Sequence, residues 1–257
     1  MPTDWSADPV TTKAAFDRDG YIALRGFLDA AEVAELCGEF TRFRDTILPH
    51  LPRNEVFYEQ LGEASTLKQV QRLHEHDTFF GLMMEQGKFR RVAEIVLGEP
   101  VTCQNMQYFN KPAGVGQPTP PHQDGYYFML EPCAAVTMWL ALEDVDEETG
   151  CVRYVTGSHQ LGMRAHARTG TLGFSQGIPD YPCPNDRVHE RAFPARPGDL
   201  LVHHALTIHR ADGNTSPTRT RRAMGFIYYA ASARPDEQAH AAYKARLAED
   251  LAAVGKI

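Results

Sequence analysis

No stretch of this 257-residue chain comes near the roughly 18 consecutive apolar residues of a membrane-spanning helix. Residues 1–10 also lack the charged and apolar blocks of a secretory leader. No membrane partner is therefore expected, and the expected address is cytoplasmic. Cysteine pairing is missing too: Cys37, Cys103, Cys133, Cys151 and Cys183 are odd in number, scattered and without a C-x-x-C spacing. That excludes a disulfide framework or zinc ribbon as the expectation and leaves reduced core thiols. There is no excess of positive charge. With 33 acidic against 26 basic residues and a formal net charge of −7, no nucleic-acid partner is expected. Repeats, low-complexity tracts and Gly/Ser/Pro-rich linkers are absent as well, so a single domain over residues 1–257 is the expectation. What is present, 43% hydrophobic and 23% charged residues, is the composition of a globular protein with a sizeable core. Oligomeric state is not set by any of this.

Helical signals come first along the chain and strand signals after them. An opening helical piece gives way to a short strand at Gly20 to Leu24, and Asp29 with Glu32 reads as an N-cap and its capping-box acid. The helix that follows carries Val33, Leu36, Cys37 and Phe40 at helical spacing. A second helical block over 81–97 carries Leu82, Phe89, Val92, Ile95 and Val96 and stops at Gly98-Glu99-Pro100. Beyond residue 100 the chain turns to short β-rich runs at 101–109, 135–142, 152–155, 200–203 and 223–229. Short strands at this spacing predict a mainly β sandwich or jelly roll with flanking helices. Residues 161–193 are polar and rich in Gly, Pro and Arg, too long for a hairpin connection and a candidate active-site lid. A closing helix is expected over 235–254, with Ala239, Tyr243, Leu247 and Leu251 spaced four apart.

The chemistry-bearing pattern is His122-Gln123-Asp124, with 84 residues between the aspartate and a later His209. Positions i and i+2 of a strand share a face, so His122 and Asp124 can grip one metal while Gln123 points away. A later strand then brings His209. Two imidazoles and one carboxylate form a facial triad that leaves three adjacent coordination positions open, as Fe(II) needs to hold a bidentate oxo-acid together with O2.

The residues around this pattern resemble the phytanoyl-CoA dioxygenase family of Fe(II)/2-oxoglutarate oxygenases, which includes ectoine hydroxylases. The resemblance begins at FDRDGYIAL from Phe16 and continues through Asn110-Lys111-Pro112, HQDGYYF from His122 and GCVRYVTGSH from Gly150. It ends with GDLLVHH from Gly198, leading into His209 and Asn214. It implies a double-stranded β-helix, a cupin-like jelly roll, with His122, Asp124 and His209 as iron ligands. It also implies 2-oxoglutarate and O2 as cosubstrates, and an arginine after the last histidine for the far carboxylate of the oxo-acid. Arg219, Arg221 and Arg222 are the candidates. By strand alternation Arg221 shares a face with Ala223, Gly225 and Ile227, whereas Arg222 shares one with Met224, Phe226 and Tyr228. The smaller face leaves room for a ligand and favours Arg221, whose guanidinium can take a carboxylate in two parallel bonds. Lys111 and Trp139 match cosubstrate contacts of the family. Gln123 and Tyr127 flank the metal pair, within reach of cosubstrate or substrate. Ala211 departs from the family, where a serine often assists the carboxylate, and Thr220 or Tyr108 is the candidate substitute. The family's halogenases lack the carboxylate ligand, so Asp124 implies oxygenation, with a small metabolite hydroxylated and succinate and CO2 released.

The remaining histidines carry simpler expectations. His74-Glu75-His76-Asp77 reads as a solvated, cap-forming stretch, His159 as the end of a strand in a turn, and His203 or His204 as a core histidine or a hydrogen-bond partner of a ligand. Two other functions stay open: a metal-dependent enzyme of the same fold that does not use 2-oxoglutarate, and a binding module that has lost its chemistry. Substrate identity is not legible. Arg164, Arg168 and Arg187 would suit an anionic substrate, and Tyr126, Phe128, Phe174 and Tyr181 an apolar one.

Overall fold

The computed structural model describes residues 8–171, 174–238 and 241–242. Asp8 opens the helix Pro9–Asp19 by accepting from the Thr11 amide, and Gly20 closes it in the left-handed conformation that a residue without Cβ adopts freely. The capping box read from the sequence starts the helix Ala30–Thr46: Asp29 accepts from the Ala31 and Glu32 amides, and Glu32 accepts from the Asp29 amide. The block expected over 81–97 is two helices, Thr78–Glu85 and Lys88–Leu97, separated by Gly87 at φ 95°. Asp77 of the histidine-rich stretch caps the first of them, and Gly98 terminates the second.

Two antiparallel sheets pack against each other. The larger runs in the order Tyr21–Leu24, Leu200–His204, Ala135–Ala141, Arg221–Ala230, Val101–Lys111, Leu67–Val70, Val56–Tyr58. The smaller runs Glu190–Phe193, Val152–Val155, His209–Ala211, Thr119–His122. Alternation divides the larger sheet into two faces. Met138, Leu140, Val202, Met224 and Phe226 point outward into the main core, where Phe89 stacks on Phe226 at 4.0 Å and Phe40 on Tyr108 at 3.9 Å. Trp139, Ala141, Leu201 and Ala223 point inward and meet Val152 and Tyr154 of the smaller sheet. This is the expected mainly β architecture with flanking helices, a double-stranded β-helix.

The strands read from the sequence are present. Those that escaped it, such as Val56–Tyr58 and Glu190–Phe193, are only three or four residues long, too short to show alternation. The stretch 161–193 is not one long loop. It holds a hairpin of Ala167–Thr171 with Phe174–Gly177, a helical turn Pro184–His189 and the edge strand Glu190–Phe193. The Ile178 amide donates to the Pro121 carbonyl, fastening this segment beside the strand that carries His122. The closing helix expected over 235–254 falls almost wholly outside the described residues. Among the described residues no helix is long and apolar enough to cross a membrane.

Candidate metal and cosubstrate site

The smaller sheet closes the long gap between the two histidines. His209 and His122 stand directly opposite each other in the ladder, with ring centroids 4.2 Å apart. Asp124 reaches the same place differently from the expectation. The strand ends at His122, and Asp124 (φ −59°, ψ −33°) begins the helical turn Gly125–Phe128, so the turn and not strand alternation aims its carboxylate. The turn needs Gly125, because a Cβ there would lie 2.5 Å from Cys133 Sγ. One ligand atom from each of His122, Asp124 and His209 lies within 4.8 Å of the others. Asp124 Oδ1 is 3.3 Å from His122 Nε2 and 3.6 Å from His209 Nε2. The far nitrogens are tied back: His122 Nδ1 donates to the Pro120 carbonyl at 2.8 Å and His209 Nδ1 to the Thr207 carbonyl at 3.0 Å. A carbonyl only accepts, so each Nδ1 carries a proton and each Nε2, turned toward Asp124, is the nitrogen available to a metal. Burial, with His122 and His203 beside it, holds the His209 imidazole well below its ordinary value. Burial would raise the Asp124 carboxyl, but His209, His122 and His203 outweigh it and keep the group well below the usual carboxylate range. Two imidazoles and a carboxylate are a donor set that fits Fe(II) with three positions left open.

From the ligands a cavity of about 90 Å³ extends between the sheets to Trp139, Lys111 and Arg221. Arg221 is 4% exposed, its Nε donates to the Gly150 carbonyl at 3.2 Å, and its guanidinium lies 5.1 Å from the centre of the Trp139 ring. Among the described residues no carboxylate pairs with it. Burial lowers its pKa to about 10, which still leaves it charged at neutral pH. The other two arginines are occupied elsewhere: Arg219 pairs with Asp146 and Glu148, and Arg222 with Glu143. Lys111 sits opposite Arg221 in the ladder. Burial, then Arg221 and Lys68, push it well below its ordinary value, and its Nζ donates to the Gln117 and Asp212 carbonyls at 2.6 and 2.8 Å.

Other expected contacts are drawn away from the cavity. Gln123 is fully buried, with Nε2 donating to the Gly162 and Leu206 carbonyls and Oε1 accepting from the Arg164 amide. It does not line the cavity, because its hydrogen-bonding capacity is spent on backbone. Tyr127 lies edge-on to His122 at 6.0 Å, but its hydroxyl donates to the Gln176 carbonyl of the hairpin. Neither suggested substitute for the family serine reaches the site: Thr220 donates to Glu143, and Tyr108 faces the outer core. Two residues that sequence reasoning left in the background do reach it. Asp124 Oδ2 accepts from Thr137 Oγ1 at 2.5 Å and from His203 Nε2 at 3.1 Å. The adjacent pair His203-His204 showed a candidate partner of a ligand but not which ring faces inward, and strand alternation puts Thr137 on the roomy face of Trp139 and Ala141 without assigning it a role.

The fold and the donor set together define the class, a double-stranded β-helix oxygenase with a two-histidine, one-carboxylate metal site. The sequence profile of the phytanoyl-CoA dioxygenase family (PhyH) matches residues 16–223, and the chain belongs to that family. It is an Fe(II)- and 2-oxoglutarate-dependent dioxygenase, with O2 as the further cosubstrate. It is 27% identical over 242 residues to phytanoyl-CoA dioxygenase 1 of Oryza sativa subsp. japonica, covering 81% of this chain and 84% of that one. It is 28% identical over 221 residues to the 1-deoxypentalenic acid 11-beta-hydroxylase of Streptomyces exfoliatus, covering 81% and 77%. Among solved structures it is similar to the epimerase SnoN in complex with Fe3+, alpha ketoglutarate and nogalamycin RO, at a TM-score of 0.70 and 27% identity, covering 89% and 86%.

Proposed function

We propose that this enzyme hydroxylates a small organic metabolite at an iron held by His122, Asp124 and His209, with the far carboxylate of 2-oxoglutarate on Arg221. Arg221 is the observation that carries the reading. A buried guanidinium without a carboxylate partner is costly to keep, and here it stands at the end of the cavity that begins at the ligand atoms. An anionic ligand recovers that cost. When bound, the iron and the oxo-acid supply O2 activation coupled to oxidative decarboxylation to succinate and CO2. The chain's own residues bind, orient and exclude water. Arg221 donates two charge-assisted bonds to the far carboxylate, and Trp139 gives the guanidinium a flat face to lie against. Val152 and Ala211 line part of the cavity with apolar wall, and Lys111 shapes its end by drawing two loop carbonyls inward. Gln123 and Tyr127 take the role of fasteners, tying the turn that bears Asp124 to the Gly162–Gln176 segment.

A small-molecule substrate is in keeping with relatives named for 1-deoxypentalenic acid and for a complex with nogalamycin RO. Hydroxylation is the preferred outcome because an oxygenase of this class needs no further group to deliver it. The direct test is anaerobic titration of the metal-free protein with Fe(II) and then 2-oxoglutarate, watching for the visible charge-transfer band of the chelate. The band is expected, and it is expected to require far more 2-oxoglutarate in Arg221→Ala. Iron binding without a band would instead support a metal enzyme of this fold that works without the oxo-acid. Product mass then separates hydroxylation, which adds one oxygen atom, from epimerisation, which adds none.

A further inference from the structure

His122 and His209 owe their aim to the β ladder, whereas Asp124 sits one step outside it and must be aimed by its hydrogen bonds. The two carboxylate oxygens are treated unequally. Oδ1 faces the two imidazole nitrogens. Oδ2 takes one bond from Thr137 Oγ1 at 2.5 Å and another from His203 Nε2 at 3.1 Å. An ionised carboxylate oxygen has about two lone-pair sites, so two donors commit Oδ2 fully. His203 is itself held, because its Nδ1 lies 3.0 Å from the hydroxyl of Tyr154. With the phenol at Nδ1 and the Asp124 carboxylate at Nε2, both ring nitrogens are engaged and the ring is held in place.

The parts come from both sheets in register. His203 stands opposite Thr137 in the larger sheet, and Tyr154 stands opposite His209 in the smaller. Tyr154 is fully buried under Tyr21, whose ring stacks on it at 4.8 Å.

We propose that His203 and Thr137 are positioning residues that withhold Oδ2 from the metal, so that Asp124 coordinates through one oxygen only and three positions remain open for oxo-acid and O2. Carboxylates chelate metals through both oxygens where geometry allows, and a two-oxygen Asp124 would occupy one of those positions. Tyr154 acts at one remove by fixing the orientation of the His203 ring. The proposal rests on the assignment of Asp124 as a metal ligand made above.

The test is anaerobic titration of the metal-free protein with Co(II), whose visible bands report coordination number without turnover. His203→Phe is expected to weaken Co(II) binding by about 10- to 100-fold and to change the band intensities. His203→Gln, which keeps an N–H donor, is expected to restore much of both. Thr137→Val should shift the spectrum in the same direction by a smaller amount. Parent-like affinity and spectrum in a His203→Phe protein with parent near-ultraviolet circular dichroism would overturn the proposal. If that variant does not fold, parent-like affinity and spectra in both Thr137→Val and Tyr154→Phe would overturn it equally. Should the parent and Asp124→Ala bind Co(II) alike, the ligand assignment itself fails, a result distinct from failure of the positioning role.

Discussion

Replacing Arg221 by leucine separates its cost to the fold from its service to the cosubstrate. Truncating one partner of a buried ion pair costs about 3–5 kcal/mol, largely because the other charge is left buried and alone. At 1.4 kcal/mol per tenfold that corresponds to a loss of 2-oxoglutarate affinity of about 100- to 4,000-fold. Without cosubstrate the balance is different. The leucine variant gives up the bond to the Gly150 carbonyl and the contact with Trp139, together about 1–3 kcal/mol. It is also relieved of a buried charge that no carboxylate offsets, a burden of similar or greater size. The cosubstrate-free variant is therefore expected to match the parent within about 1 kcal/mol or exceed it. Urea unfolding of the metal-loaded proteins, with and without 2-oxoglutarate, measures both quantities. At 100 times the parent Kd the parent should gain about 2.7 kcal/mol, and the variant at most about 0.4 kcal/mol. A variant that unfolds readily without cosubstrate yet keeps parent affinity would refute the reasoning and make Arg221 a structural residue. Arg221→Lys should fall between the two, since an ammonium keeps the charge but loses the paired donors.

Arg219→Ala and Arg222→Ala, both paired with surface carboxylates, should leave 2-oxoglutarate affinity within about twofold by the same titration. His204 offers a pH test. Burial, with His159 and His203 nearby, lowers it to about 4, below the unfolded value near 6.5, so the unfolded chain takes up the proton first. Its contribution is intact above about pH 6.5 and declines as pH falls toward 4, by about 2 kcal/mol at pH 5. His204→Asn, which retains an acceptor for the Leu206 amide, should flatten the stability profile between pH 7.5 and 5 by that amount. Parallel parent and variant profiles would contradict it. Phe89→Ala, which removes the ring stacked on Phe226, should cost about 3–5 kcal/mol in urea unfolding, with metal affinity unchanged in the folded fraction.

Features that depend on neighbours in the chain were legible in the sequence. The Asp29 and Glu32 capping box, the stop at Gly98 and the long strands around Trp139 and Arg221 each rest on interactions within a few residues, or on alternation over seven or more. The inward face of the Arg221 strand was legible for the same reason, since period two sorts small residues from large before any partner is known. Residues 161–193 were harder to read. Their strands are four or five residues long, and their bonds run to distant backbone such as the Pro121 carbonyl.

The sequence by itself determined the fold class, the pair His122 and Asp124, and a short list of arginines, because composition, motif and alternation are local properties. Tertiary structure decided the rest. The register that sets His209 against His122 depends on a pairing between strands 86 residues apart at their closest, and no local rule encodes it. Which arginine stays without a carboxylate depends on where Asp146, Glu148 and Glu143 come to rest. Gln123 turns away from the cavity because Gly162 and Leu206 present carbonyls to it. Thr137 and His203 become partners of Asp124 because the strands that carry them lie side by side beneath it. Each of these is a contact between segments remote in the chain, and hydrogen bonds and ion pairs act over a few ångströms of space, whatever the separation in sequence.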